Sequence, residues 1–414
     1  MNKIELVFYN IFRKNLKIKN IVRNLYQSLF DILPDKDNFF LHRPIVKENC
    51  FFGFHDSTPF SNDNTKVLSN KLLIPLRMPM KNDALEVGYW DGELYTNWRS
   101  IDKTYAWNYH KGCRLQWLKQ DESVIYNIWD GISLKSKIFN LLDQRYYAVD
   151  YPIDSTDNKG NFATSFSYER LQNLMPGYGY DFSDEAYLNE KISGKTGMYL
   201  VDINRNERKL LISLKDLAGI NFEESMNDSF HFVTHSLFSP DGNYVSFFHR
   251  WYKGQIRNTR LVIYDIRNDR FFISPTNGMV SHYVWNKLNG IIAYCRIENI
   301  NSHVYFEKPS MESYIRVAYP ELNSDGHQSF IDNENFLTDT YPDRRRYAKL
   351  YSVGLATNEA RLIAEIKSFR KFQSKTVLKH WGCDLHPRSS NDGKYACFDS
   401  VHTNVRALCI MKIQ

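Results

Sequence analysis

The chain has 414 residues, 43 % hydrophobic and 15 % aromatic, which excludes a disordered protein and leaves room for one large domain or two ordinary ones. Its 53 basic and 47 acidic residues leave a net charge of +6 spread along the chain, too mild to indicate nucleic acid but compatible with an acidic ligand. Six cysteines without a CxxC pair speak against a disulfide framework and predict free, buried thiols.

Residues 1 to about 33 carry apolar side chains at helical spacing: Ile4, Phe8, Phe12 and Leu16, then Ile21, Leu25 and Leu29. The opposite face is basic. This pattern predicts an N-terminal helical extension over residues 1–44, either packed on the main domain or lying on an anionic membrane surface. Arg13, Lys14, Lys17 and Lys19 break up the apolar residues, so no signal peptide is read here, and no apolar run reaches the ~18 residues of a membrane span. The expected location is the cytoplasm, with residues 1–33 offering peripheral contact to the inner membrane surface.

Beyond the extension a strand–turn–strand unit recurs, most plainly in "LFSPDGNYVSFFHR" from Leu237. Further copies begin at Pro59, Gln116, Pro152, Val284, Ser329 and Arg388. Each sets an Asp/Asn/Gly turn before a β-run, and further strands such as 197–214 and 259–275 lie between them. Phe238, Trp285 and Phe330 are 47 and 45 residues apart, the spacing of four-stranded propeller blades. We therefore expect an all-β fold, a seven-bladed β-propeller over residues 45–414, with an insertion around 167–196.

Four successive repeats place histidine at one position. His235, His282 and His327 each stand three residues before the aromatic anchor, and His386 stands three before Ser389. Equivalent positions on successive blades converge on the central axis, so four imidazoles should meet at a funnel mouth. Such a cluster suits a divalent metal or acid–base chemistry; the alternative is that each histidine merely caps its own blade. Asp384 lies two residues before His386, so strand alternation would put both on one face. A carboxylate and an imidazole on one face suit Mn, Zn or Ca, and equally a plain Asp384–His386 hydrogen bond. Nearby strand ends supply His249, Arg250, Arg257 and Arg260, while "TDTYPDRRR" supplies Tyr341 and Arg344. Arg388 opens the last repeat. Tyr178 and Tyr180, in the Gly-Tyr loop of the insertion, suit stacking on a sugar ring and equally suit ordinary anchoring of the loop.

The blades with H-x-x-F/W and S-P-D-G, together with "GHQSF…TDTYPD" and "DLHPR…DGKYACFDS", resemble TolB-like propellers over residues 50 to 414. More narrowly they resemble the oligogalacturonate lyase and ulvan lyase group of seven-bladed polysaccharide lyases. The first of these resemblances implies a Mn-type ion held at His327 and His386, with Asp384 where that family has another histidine and no match for its glutamine. It also implies His282 as catalytic histidine and Arg257 or Arg260 as the arginine. Resemblance to the ulvan lyases implies His235, His249, Tyr180 and Arg250 in catalysis. Arg260, Tyr178, Tyr341, Arg344 and Arg388 are then left for substrate binding. The implied activity is β-elimination on an acidic, uronate-containing glycan. The alternative is a non-catalytic propeller that binds glycan or protein, associated with surface-polysaccharide biosynthesis. No G-x-S-x-G elbow, Rossmann fingerprint or P-loop is found, so neither a peptidase partner domain nor a nucleotide cofactor is expected.

Overall fold

The Ser239–Gly242 turn shows how the repeat is wired. Ser239 Oγ donates to Asp241 at 2.6 Å and accepts from the Tyr244 amide at 3.0 Å, while Gly242 takes a φ of +74°. The same wiring recurs at Ser390–Gly393 and at Ser61–Asn64, where an asparagine takes the positive φ, +57°, in place of glycine. Each turn joins the first two strands of an antiparallel sheet, and the described chain forms seven such sheets arranged as propeller blades. The computed structural model describes residues 16–373 and 380–414, without the side chains of residues 16–20, 23 and 24.

Blade four is typical: Phe230–Phe238 is innermost, followed outward by Tyr244–Lys253, Ile256–Asp265 and Arg270–Ile273. Apolar residues of one sheet pack on the next, as Phe248, Leu261 and Ile263 do against Tyr283, Ile291 and Ala293 of blade five. In blade three the innermost place is taken by Asp154–Thr156, bonded to the strand Phe162–Ser165. Residues 166–196 then leave the sheet and carry the helix Tyr168–Leu174, capped by the Ser167 hydroxyl. Blade seven combines Arg388–Ser389, Tyr395–Ser400 and Ala407–Lys412 with Ile45–Glu48 as outer strand, so the two ends of the chain clasp the ring shut. Phe39–Phe40 adds a fifth strand to blade six. The six cysteines are free and buried, and burial pushes the thiols of Cys113 and Cys397 up to about 12.

The start of each innermost strand and the loop between the second and third strands share one face of the ring. On that face the helix Leu16–Phe30 is bolted to blade six. Gln27 donates to the Asp343 carbonyl at 3.0 Å, Arg346 pairs with Asp31 at 2.7 Å, and Arg344 lies 5.1 Å over the Phe30 ring. Ile4, Phe8 and Phe12 of the predicted helix lie outside the described residues. Among the described residues no helix is long and apolar enough to cross a membrane.

Candidate active site

The innermost strands deliver their histidines to the axis. Phe54, just before the corresponding histidine of blade one, closes the base of the funnel. Its ring centroid is 4.5 Å from that of His55, 4.7 Å from His235, 5.1 Å from His386, and 6.0 Å from both His282 and His327. His327 stands 4.0 Å from His282 and 4.2 Å from His386. His235 and His386 adopt φ of +54° and +44°, a left-handed conformation that histidine enters more readily than most residues. In blade four this accompanies a register slip between Thr234 and Leu237.

Four of these rings are tied through Nδ1, His235 by the Thr234 hydroxyl at 2.8 Å. His327 Nδ1 is 2.8 and 3.0 Å from the two oxygens of buried Asp339, which also accepts the His327 amide at 2.7 Å and the His386 amide at 3.0 Å. His282 Nδ1 is 3.1 Å from Asp325, itself hydrogen-bonded by Ser281. His55 Nδ1 is 2.6 Å from the Gln328 carbonyl. A ring tied at Nδ1 keeps Nε2 for a ligand or a proton. Burial, then the neighbouring His327, lowers the His282 imidazole against the opposing pull of Asp325. Burial holds His55, His235 and His386 well below the usual range, so these are neutral rings at neutral pH. At His327 burial also pushes downward, but Asp339, with Asp384 and Asp325, outweighs it and leaves the group raised.

His327, Asp384 and His386 each offer a ligand atom, and the three atoms lie within 4.8 Å of one another. Donors sharing a divalent ion at ~2.1 Å sit roughly 3–4 Å apart, so a small closure would suffice. The carboxylate-oriented His327 is also the usual second-shell arrangement of a metal-binding imidazole. These residues therefore fit a divalent cation. Their convergence does not come from strand alternation, since the strand begins only at Arg388. The left-handed turn at His386 precedes it instead.

Arg250 supplies the opposite electrostatics. It is 2 % exposed, its Nη1 bonds only to the Met175 sulfur at 2.9 Å, and its Nε has no partner among the described residues. Arg257 approaches the same sulfur at 3.5 Å. Burial, then the charge of Arg257, drives the Arg250 guanidinium well below its ordinary value, with tyrosine hydroxyls, Tyr178 first, as the main opposition. Neither arginine forms an ion pair with a carboxylate among the described residues. A buried cation in that state calls for an anion. Tyr178 stacks on His110 at 4.5 Å and 5° and lies 6.0 Å from His235, its phenol pushed up to about 12 by burial and then by Asp384. Tyr341 stands at the mouth, 5.8 Å from His327.

Five other predicted site residues are held elsewhere. Tyr180 stacks on Tyr168 at 4.4 Å and accepts from Asn127, inside the core under the insertion. His249 accepts from Arg260 Nε at 3.1 Å, so its own N–H donates to His231 Nδ1 at 2.8 Å, and His231 donates to the Met226 carbonyl. Arg260 spends its remaining N–H groups on the carbonyls of Leu217, Ile220 and Asn221. Both ring nitrogens of His249 are thus consumed in a structural chain. Arg388, fully buried, pairs with Asp399 at 3.2 Å and donates to the Phe54 carbonyl, bracing the funnel base. Arg344 serves the N-terminal helix. Conversely, the sequence reading overlooked His55, His110 and Asp325. His55 was traceable, because "HDSTPFSND" is the same repeat with two extra residues before the phenylalanine.

No family model matches the sequence, and a search among curated proteins finds no match. Solved structures do match. An oligogalacturonate lyase in complex with manganese aligns with a TM-score of 0.60 at 12 % identity, covering 92 % of this chain and 99 % of that one. The oligogalacturonate lyase of Vibrio parahaemolyticus aligns with a TM-score of 0.59, again at 12 % identity and over 92 % and 99 % of the two chains. A prolyl endopeptidase structure aligns at 0.50 and 8 % identity, with 95 % of this chain against 49 % of that one. The chain thus has the seven-bladed β-propeller fold found in the oligogalacturonate lyases.

Proposed function

We propose that the funnel cleaves a uronate-containing oligo- or polysaccharide by β-elimination. The observation that carries this reading is Arg250, a buried guanidinium without a carboxylate partner among the described residues, set near His235, a neutral ring whose Nδ1 is tied to the Thr234 hydroxyl. A uronate carboxylate would supply the missing anion, with Arg257 beside it. Neutralising that carboxylate acidifies the adjacent C5 proton.

His282 then acts as base: its Nε2 takes the C5 proton while Asp325 holds Nδ1 and stabilises the imidazolium. The C5–H electron pair forms the C4–C5 double bond, and the C4–O bond breaks. Tyr178, protonated at neutral pH, donates its proton to the departing glycosidic oxygen. His235 and Tyr341 line the sugar-binding surface. His327, Asp384 and His386 would hold a divalent cation, which when bound would share the neutralisation of the carboxylate. The likeness to a manganese-bound oligogalacturonate lyase supports this reading at the level of fold.

The test is a panel of uronate oligosaccharides, assayed by the ultraviolet absorbance of an unsaturated uronate with and without Mn. Wild type should produce it and Arg250→Ala should lose both binding and turnover. Tight binding with no absorbance across the panel would leave a glycan-binding propeller and refute the lyase.

A further inference from the structure

The helix Leu16–Phe30 has two faces with different fates. Gln27, Phe30 and Asp31 turn to blade six through Asp343, Arg344 and Arg346. Ile21, Leu25 and Leu29 recur every four residues on the other side and are 58, 65 and 67 % exposed, and Ile32, just past the helix end, is 84 % exposed. Three large aliphatic side chains in one stripe, with a fourth at its end, exceed the scattered exposure of an ordinary surface. The charge of the same segment is equally uneven. Residues 1–33 hold six basic side chains, Lys3, Arg13, Lys14, Lys17, Lys19 and Arg23, against Glu5 and Asp31, so 33 residues account for four of the chain's six net positive charges. An apolar stripe within a basic segment matches an anionic lipid surface, where acyl chains take the aliphatic groups and headgroups take the lysines and arginines.

We infer that this helix docks the propeller on an anionic lipid bilayer. The stripe is long enough to lie in the interface and far too short to span it. Its anchor, the loop 340–346 of blade six, carries Tyr341 at the mouth of the funnel. Docking therefore brings the funnel-bearing face beside the lipid surface, within reach of glycan attached to or crossing it. Only that last consequence rests on the proposed activity; the docking does not.

The test uses the full chain and vesicles of phosphatidylcholine alone or with one-third phosphatidylglycerol. Wild type should sediment with the anionic vesicles, at least about ten-fold more than with neutral ones, and high salt should release most of it. Leu25→Glu/Leu29→Glu, altering exposed side chains only, should lose about ten-fold or more of this binding while keeping the melting temperature and the oligosaccharide turnover of wild type. Equal sedimentation of wild type and variant would overturn the inference. So would a wild-type dimer, seen by light scattering, that the variant abolishes without any vesicle binding, since a second copy would then cover the stripe. Loss of turnover in both proteins with vesicle binding intact would instead count against the proposed activity alone.

Discussion

Asp339→Asn tests whether the funnel is built as described. The carboxylate is 1 % exposed and accepts from two backbone amides and one imidazole, joining blade six to blade seven. Asparagine keeps one acceptor oxygen and replaces the other with an NH2 group. That group must face either the His386 amide or the donors of His327, leaving a buried N–H without an acceptor at about 1–3 kcal/mol. Loss of the charge from the surviving bonds adds about 1 kcal/mol. The variant should therefore be about 2–4 kcal/mol less stable. At roughly 1 °C per kcal/mol for a chain of this length, its melting temperature should fall by about 2–5 °C. The His327 ring also loses the partner that fixes its tautomer, so the affinity of the proposed cation site, read by Mn titration calorimetry, should drop about 10- to 100-fold. A variant with unchanged melting and unchanged Mn affinity would refute the role given to Asp339.

Other substitutions separate function from support. Arg250→Met should stabilise the fold by about 1–3 kcal/mol in urea melts, because a buried cation with no carboxylate partner among the described residues is removed, while oligosaccharide binding is lost; a destabilised variant that still binds would contradict the anion site. His249→Ala should cost about 2–4 kcal/mol, since Arg260 Nε and His231 Nδ1 both lose their partner. Its kcat for any substrate found should stay within about two-fold of wild type, and a selective loss of kcat would restore His249 to catalysis. Asp154 lies fully buried, 2.5 Å from Lys111 Nζ and 3.2 Å from Arg114. Burial raises its carboxyl, but the charges of Lys111 and Arg114 outweigh this and hold it below the usual range. The folded group binds its proton more weakly than the unfolded one, so its contribution is complete above roughly pH 4 and is lost as the pH falls further. Urea midpoints between pH 6 and pH 3 should fall more steeply for wild type than for Asp154→Ala; parallel slopes would remove Asp154 from the acid response.

The propeller was legible because its turns repeat, and the histidine ring because four innermost strands start alike. What failed was the choice among neighbours. His249 and Arg250 are adjacent on one strand and so point to opposite faces, and pairing of His249 with Arg260 across the sheet sends both into the blade. Sequence alone offered both as funnel residues, and only Arg250 joins Tyr178 and Tyr341. Tyr178 and Tyr180 part company similarly, one stacked on His110 and the other on Tyr168. His55 escaped notice because two residues lengthen its repeat. Asp325 lies in a loop between blades, where no periodicity announces its contact with His282. Arg388 and Arg344 illustrate the remaining difficulty: a basic residue beside a predicted site is indistinguishable, in sequence, from one holding the structure under it.

The most direct test of the proposed chemistry is the mass balance of the products. Wild-type protein, incubated with a defined uronate oligosaccharide and analysed by mass spectrometry, should yield fragments whose masses sum to that of the substrate, with one fragment unsaturated. His282→Ala should yield none. Fragments heavier by one water, or no fragments from any acidic oligosaccharide that binds, would contradict β-elimination at this funnel.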